Sequence, residues 1–326
     1  MKRIGVLTSG GDAPGMNACL RAVVRHALPI GLEVIGVRRG YVGLLKGDFE
    51  VLDADSVANI MQRGGTVIGT GRSPEFLRPE ARAQAAHRLR AAGIDGLIVI
   101  GGDGSFRGAE AMAMEQDVQI VGTPGTIDND VYGSDYTIGF HTAVSTGLEA
   151  IDRIRDTAES TGMPFFIEVM GRRSGYIAAA VALAGGADYV MLPEIRHDEI
   201  EELYDIIKKA MDRGKLNVIV VVSEGDENGG AIKVGEQVRS RMELDYRVSI
   251  LGHIQRGGSP TAQDRILATK LGVAAVDALV EGKTRVMMGE TGASITATSF
   301  IDTWELHKQV DLSLAKLVRE LAEGGR

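Results

Sequence analysis

The chain has one cysteine, Cys19, among 326 residues, so no internal disulfide can form and nothing in the sequence calls for an oxidising compartment. Its six histidines are scattered, without an H-E-x-x-H or paired Cys/His spacing, which argues against a zinc site. No segment reaches the roughly 20 apolar residues that a membrane helix requires. The N-terminus "MKRIGVLTSGG" carries a four-residue apolar run, too short for a signal peptide. Excess positive charge is missing too. The net charge of −8 argues against general binding to nucleic acid or anionic membranes, although local basic clusters still suit a phosphorylated ligand. The expected location is the cytoplasm.

What the chain does have is glycine: 43 residues, about twice the usual share of roughly 7%. They gather at the ends of apolar runs, where tight βα turns need them. Those runs are β-branched and mostly continuous, as in strands covered on both faces: residues 4–8, 33–37, 96–100, 118–121, 165–170, 188–192, 217–222 and 248–251. Helix-like stretches fall between them at 16–29, 80–92, 141–157, 198–212 and 263–281. This alternation predicts an α/β fold with a mostly parallel sheet, and the length suits two domains. "IGVLTSGGDAPGMN" and "IEVMGRRSGYIA" share one pattern of strand, polar glycine turn and helix. The expectation is two similar three-layer α/β lobes with a ligand cleft between them.

In open α/β sheets ligands bind beyond the carboxyl ends of the strands. The first such turn, Gly10-Gly11-Asp12-Ala13-Pro14-Gly15, lets backbone N–H groups approach a phosphate. Ser9 and Asp12 stand where a dinucleotide fingerprint needs glycine. The second, Gly101-Gly102-Asp103-Gly104-Ser105, combines close backbone approach with a carboxylate able to hold Mg²⁺. The third, "PGTIDND", places Asp128 and Asp130 two apart, pointing the same way if the backbone is extended, one as base towards a hydroxyl and the other as helper. Arg72 in "GTGRS", Arg172 and Arg173 in "MGRRSG", and His253 with Arg256 in "LGHIQRGG" supply cations, the last two spaced to grip one phosphate together. "EGKT" at 281–284 imitates the end of a Walker A loop, but residue 277 is Asp and no strand precedes it, so it reads as a helix end. Together the turns imply Mg-assisted phosphoryl transfer to a hydroxyl of an anionic substrate.

"LTSGGDAPGMN", "RGG", "GGDGS", "PGTIDND", "VMGR" and "LGHIQRGGSP" stand in the order found in bacterial ATP-dependent 6-phosphofructokinases, and the chain resembles that family over nearly its whole length, loosening after about residue 285. The resemblance implies fructose 6-phosphate as acceptor, ATP as co-substrate and a homotetramer with sites at subunit contacts. It implies a larger ATP-binding lobe of residues 1–139 plus 252–300, and a smaller sugar-phosphate lobe of 140–251 plus 301–326. By motif, Asp128 resembles the general base and Asp103 the Mg²⁺ residue. Gly11, Arg72, Ser73 and Gly102, Asp103, Gly104, Ser105 resemble the ATP cradle. Arg72 and Arg172 would offset charge on the transferring phosphoryl group. Thr126, Asp128, Met170, Gly171, Arg172, Glu224, His253 and Arg256 resemble sugar-phosphate contacts, with Arg247 reaching in from a neighbouring subunit.

Pyrophosphate-using relatives carry Asp after "GGD" and Lys before "TIDND"; here those positions are Gly104 and Gly125, which favours ATP. Arg21 and Arg25, with Arg155, Gly186, Asp188, Arg213 and Lys215, match positions where the family binds ADP or phosphoenolpyruvate as effector. Asn217 stands where a basic residue is common. Met163 stands where relatives have an arginine that grips the sugar 6-phosphate across a subunit interface. Two other readings compete: a kinase of the same fold with a shifted substrate, motivated by Met163, and a silent regulatory subunit, against which Asp103, Asp128 and Arg172 stand.

Overall fold

The fold is that of a computed structural model, which describes residues 1–195 and 199–323. In chain order it contains β1 (Arg3–Thr8), α1 (Met16–Ala27), β2 (Glu33–Val37), α2 (Tyr41–Lys46), β3 (Phe49–Leu52), α3 (Pro79–Ala91), β4 (Gly96–Gly101), α4 (Asp103–Gln116), β5 (Gln119–Pro124), α5 (Phe140–Thr161) and β6 (Phe165–Val169). There follow α6 (Tyr176–Ala184), β7 (Tyr189–Met191), α7 (Glu199–Asp212), β8 (Ile219–Ser223), α8 (Gly230–Met242), β9 (Arg247–Ile250), α9 (Ala262–Val280), β10 (Val286–Thr291), β11 (Ser294–Ser299), α10 (Asp302–Glu305) and α11 (Ser313–Glu323). The expected start of a helix at residue 198 lies outside the described residues.

The chain divides into two compact units. The first holds Met1–Ile127, Val131–Thr142 and Arg256–Lys308; the second holds Asp128–Asp130, Ala143–Gln255 and Gln309–Arg326.

In the first unit a seven-stranded sheet runs in the order β11-β10-β5-β4-β1-β2-β3. The inner pairs are parallel, while β3 and β11 each pair antiparallel at an edge. β1 has β2 on one side and β4 on the other, so the strand order reverses there. That is the point at which α/β sheets open for ligands. The apolar runs are fully buried: Ile4, Val6 and Leu7 of β1 and Leu97 to Ile100 of β4 show no exposure. Phe106 of α4 stacks on Phe300 at 5.2 Å, and Gly122 of β5 leaves the space both rings fill.

The second unit has a four-stranded, wholly parallel sheet in the order β7-β8-β6-β9. Phe166, Tyr189, Leu203, Ile207, Val220, Val222, Val234 and Val238 form one of its buried clusters. The fold class is therefore α/β with two mostly parallel sheets.

Three features depart from the sequence reading, the first being β3, an antiparallel edge strand with no counterpart among the expected runs. The hairpin β10–β11 has no counterpart among the expected strands. Its turn residues Gly292 and Ala293 both have positive φ, 55° and 67°, as a type I′ turn requires, but Gly-Ala lacks the Asn-Gly or Asp-Gly signature. The Gly101–Ser105 segment is not a free turn either, because α4 begins at Asp103. The glycines weaken the helix signal, while burial of Phe106, Ala109 and Met112 supplies the packing that overrides it.

Candidate active site

In the first unit, three polar segments converge beyond β1 and β4. Ser9 N–H donates to the Ile100 carbonyl at 3.0 Å, continuing the β1–β4 pairing into the turns. A Cβ on Gly101 would stand 2.6 Å from Ser105 Oγ and 2.8 Å from the Ser9 carbonyl oxygen, whereas one on Gly10 would meet Ser105 Oγ at an ordinary 3.6 Å. Glycine at 101 is thus required by Ser105 and the Ser9 carbonyl. Gly10, at φ 90°, accepts a bond from Thr70 Oγ1 at 3.0 Å, which fastens the segment bearing Arg72 and Ser73 to the first turn. Asn17 of α1 donates to the carbonyls of Arg63 and Gly64 and accepts from Val67 N–H, tying in the "RGG" loop. Arg72 itself is exposed.

At the head of α4, Gly102 is extended and Asp103 is the first helical residue. Its carboxylate adds to the favourable field of the helix N-terminus. Arg107, one turn on, donates from Nε to Asp103 Oδ1 at 2.7 Å. A Cβ on Gly104 would meet nothing within 4 Å, whereas one on Gly125 would stand 3.0 Å from Ile100 Cγ2 and 3.1 Å from Met16 Cε. Glycine therefore leaves open space at 104 but serves close packing at 125. Thr126 lies against Gly102, and its carbonyl accepts from Thr137 Oγ1 at 2.6 Å.

Arg256 is buried and donates from Nη1 to the Asp12 carbonyl at 3.1 Å. Its guanidinium fills the place of a Cβ on Gly11, with Nη1 2.2 Å from that position. His253 and Arg256 both lie in a 3₁₀ turn, Gly252–Arg256; His253 is exposed, and the buried Arg256 uses Nη1 on the Asp12 carbonyl, one of the five N–H donors of its guanidinium.

In the second unit, Asp128 is 2% exposed and Asp130 is exposed. The two do not point the same way. Asn129 between them has φ 53°, and this left-handed residue breaks the extended geometry on which the expectation rested. Asp128 Oδ2 lies 3.7 Å from Arg172 Nε. Arg172 follows β6 and is held at φ 54°, a conformation costly for a residue with a side chain. What holds it is visible. Glu224, after β8, accepts from Arg172 N–H at 2.8 Å and from Gly171 N–H at 3.4 Å. Gly225 packs against the Arg172 carbonyl, 1.5 Å from where a Cβ would be. Ser174 Oγ donates to the Asp128 carbonyl at 3.0 Å. Gln255, fully buried, accepts from Met170 N–H at 2.8 Å and donates to the Ala143 carbonyl.

Met170, Gly171, Arg172, Glu224 and Asp128 are thus one interlocked group at the carboxyl ends of β6 and β8. Arg247 is not among them. It opens β9, registered opposite Phe165 at the start of β6, and is exposed. Met163 precedes the same strand and lines an apolar cavity of about 160 Å³ with Pro164, Ile207, Met211, Leu216 and Val218.

The effector candidates fall in two places. Arg21 and Arg25 lie on α1, with Arg25 bound to the Ala54 carbonyl. In the second unit Arg155 donates to the Gly185 and Gly186 carbonyls, Lys215 pairs with buried Asp188 at 2.5 Å, and Arg213 reaches the Ala322 carbonyl. Sequence reasoning passed over Asn17, Thr70, Ser174 and Gln255. All four stand inside or beside quoted motifs, and only their partners reveal them. "EGKT" begins just past α9, which is capped at Glu281.

The Phosphofructokinase family model matches residues 3–279. The chain is 55% identical over 322 residues to ATP-dependent 6-phosphofructokinase 1 of Thermus thermophilus, covering 99% of this chain and 100% of that protein. It is 47% identical over 332 residues to ATP-dependent 6-phosphofructokinase of Halothermothrix orenii, with 99% and 100% covered. Among solved structures, phosphofructokinase from Saccharomyces cerevisiae superposes with a TM-score of 0.86 at 37% identity, over 99% of this chain and 48% of that one.

Proposed function

The chain belongs to the phosphofructokinase family, and from that premise we propose that Asp128 and Arg172 carry the ATP-dependent phosphorylation for which its relatives are named. The reaction passes the terminal phosphoryl group of ATP to the 1-hydroxyl of fructose 6-phosphate, giving fructose 1,6-bisphosphate and ADP. Asp128 takes the hydroxyl proton. An ordinary carboxylate, with a pKa near ~3.9, is a weak base for an alcohol. The proton, however, leaves only as the O–P bond forms, so position outweighs basicity. Arg172, 3.7 Å away, is too distant for a tight bond with Asp128 and offsets the charge of the moving phosphoryl.

Gly11, Arg72, Ser73 and Gly102 to Ser105 take the ATP phosphates. The open space at Gly104 supports a nucleotide donor, because an Asp there would crowd and repel the α-phosphate. Thr126, Met170, Gly171, Glu224, His253 and Arg256 take the sugar phosphate, joined by Arg247 of a neighbouring subunit in a homotetramer. Glu224 has a second role through its bonds to the Gly171–Arg172 turn.

Among the described residues no group of three or more His, Cys, Asp or Glu could hold a metal by itself. That fits Mg²⁺, which is bound by one or two carboxylates and completed by phosphates and water. Asp103, with a side chain 42% exposed at a helix N-terminus, is the residue that would hold it. When bound, the ion supplies positive charge to the β- and γ-phosphates. Arg21, Arg25, Arg155, Gly186, Asp188, Arg213 and Lys215 serve an anionic effector, ADP or phosphoenolpyruvate. No helix among the described residues is long and apolar enough to cross a membrane, and the reaction belongs to the cytoplasm.

The observation that carries this reading is the buried Asp128 beside an Arg172 held in a left-handed turn by Glu224. Initial rates with fructose 6-phosphate and either ATP or pyrophosphate test it. Turnover with ATP alone is expected; turnover with pyrophosphate alone, or with neither, would overturn it.

A further inference from the structure

Arg107 has two partners and no place in the roles assigned above. Its Nε donates to Asp103 at 2.7 Å, and its Cζ lies 4.8 Å above the ring of Trp304. Trp304, on the short helix α10, packs against the core beneath α4. It is the only tryptophan in the chain. The guanidinium is therefore aimed from one side by an anchored aromatic face, and on the other it meets the carboxylate assigned to the metal.

Asp103 is the one carboxylate assigned to the metal, and a guanidinium on its Oδ1 repels a second cation drawing on the same group, so the two compete. Both partners are about half exposed, 53% for Arg107 and 42% for Asp103. Such a pair is weak and readily exchanged. A divalent ion completed by polyphosphate binds far more strongly than a guanidinium at one point. The ring face still attracts the cation once the carboxylate is lost, since a guanidinium over indole is favourable in its own right.

We propose that Arg107 holds the place of the magnesium ion at Asp103, leaves it when the metal–nucleotide complex binds, and is retained by Trp304 in both states. Arg107 is thus a positioning residue. It keeps the Asp103 carboxylate neutralised and oriented before loading, and competes with the metal for it. The inference rests on the assignment of Asp103 to the metal.

Trp304 makes the exchange observable without turnover. Its emission is recorded while Mg²⁺ is titrated into wild type, Arg107→Gln, Arg107→Lys and Asp103→Asn at fixed, saturating ADP and without sugar phosphate. In wild type the emission changes as Arg107 moves. Arg107→Gln is expected to abolish that change. Mn²⁺ binding, counted by electron paramagnetic resonance, is then tighter by about two- to fivefold, the range expected for losing a weak exposed competitor. Arg107→Lys, which keeps the charge without the planar fork, falls between. If Arg107→Gln leaves metal affinity unchanged or weakens it, Arg107 is no competitor and the proposal is overturned. If Asp103→Asn leaves metal affinity unchanged, the assignment of the metal to Asp103 fails instead, so the two failures are distinct.

Discussion

The carboxylate of Glu224 accepts the backbone N–H of Arg172 at 2.8 Å, and so a residue after β8 fixes the backbone of a residue after β6. A residue with a side chain at φ 54° stays there only when its surroundings insist. Glu224→Ala removes that restraint. Losing a hydrogen bond to a charged group costs about 1.5–3 kcal/mol. We expect kcat to fall about tenfold to a hundredfold by this route. Glu224→Gln, whose amide oxygen still accepts, should keep most of kcat. Steady-state kinetics separate this from a pure sugar contact, whose loss would raise KM for fructose 6-phosphate and spare kcat.

Gly104 discriminates between donors by its empty space. A Cβ there meets nothing, and an acid in the first turn of α4 suits the helix dipole. Gly104→Asp should therefore fold with an unfolding midpoint within about 2 °C of wild type, since a surface change is worth roughly 0.5 kcal/mol or less. Its KM for ATP should rise at least about tenfold, the price in rate of one repelled phosphate at ~1.4 kcal/mol or more. An unchanged KM would show that the α-phosphate does not pass this residue.

Arg82 on α3 binds Glu115 of α4 through two nitrogens, Nε at 2.7 Å and Nη2 at 2.5 Å, and also reaches the Phe76 and Leu77 carbonyls. The Arg82 side chain is 9% exposed and Glu115 33%. Arg82→Ala strands four acceptor atoms at once, two of the Glu115 carboxylate and two carbonyls. We expect a loss of about 2 kcal/mol, below the usual 3–5 for breaking a buried pair because Glu115 is part-solvated. The hydrogen bond from Arg82 holds the Glu115 carboxyl below its ordinary value of 4.5. A lowered acid pKa stabilises the fold fully above 4.5, and that contribution drains away as pH falls through the lowered value. Denaturant unfolding at neutral pH and in acid should show the gap between wild type and variant narrowing below about pH 4.5.

Met163 and Arg247 stand at the same end of the second unit's sheet, at the starts of β6 and β9. An arginine at 163 would add a cation beside Arg247, on the edge proposed to serve a neighbouring subunit. Met163 is half-buried, so the longer side chain has a route to solvent. Met163→Arg should lower half-saturation by fructose 6-phosphate about tenfold, as one charge-assisted phosphate contact of ~1.5 kcal/mol implies. No change in a substrate saturation curve would mean that the phosphate pocket already has its full set of cations.

The continuous apolar runs made β1, β2, β4, β6 and β8 legible, because parallel strands buried on both faces write their burial directly into sequence. The antiparallel edges of the seven-stranded sheet did not show: β3 was not among the expected runs, nor was the hairpin at the other edge. β10 and β11 form an antiparallel hairpin whose outer strand is mostly exposed, closed by a turn with no strong signature. The Gly-rich turns were legible as places, but what each residue does there depends on partners far away in the chain. Arg256 reads as a phosphate grip, but its contact with Asp12, 244 residues earlier, shows only in the structure. Gly125 reads as room for a ligand until its missing Cβ is found to face Ile100 and Met16. Asp128 and Asp130 were separated by one left-handed residue, Asn129, and no spacing rule for extended backbone could anticipate it.

The most direct measurement is the rate of ADP formation from ATP and fructose 6-phosphate by wild type and Asp128→Asn. Asparagine preserves the size of the side chain next to Arg172 and removes its capacity to take a proton, together with its negative charge. General-base catalysis is worth about 10²–10⁴ in rate, so kcat is expected to fall by that factor with KM for ATP little changed. An Asp128→Asn enzyme within about threefold of wild type would contradict the account, because far more than that is expected from losing a true base.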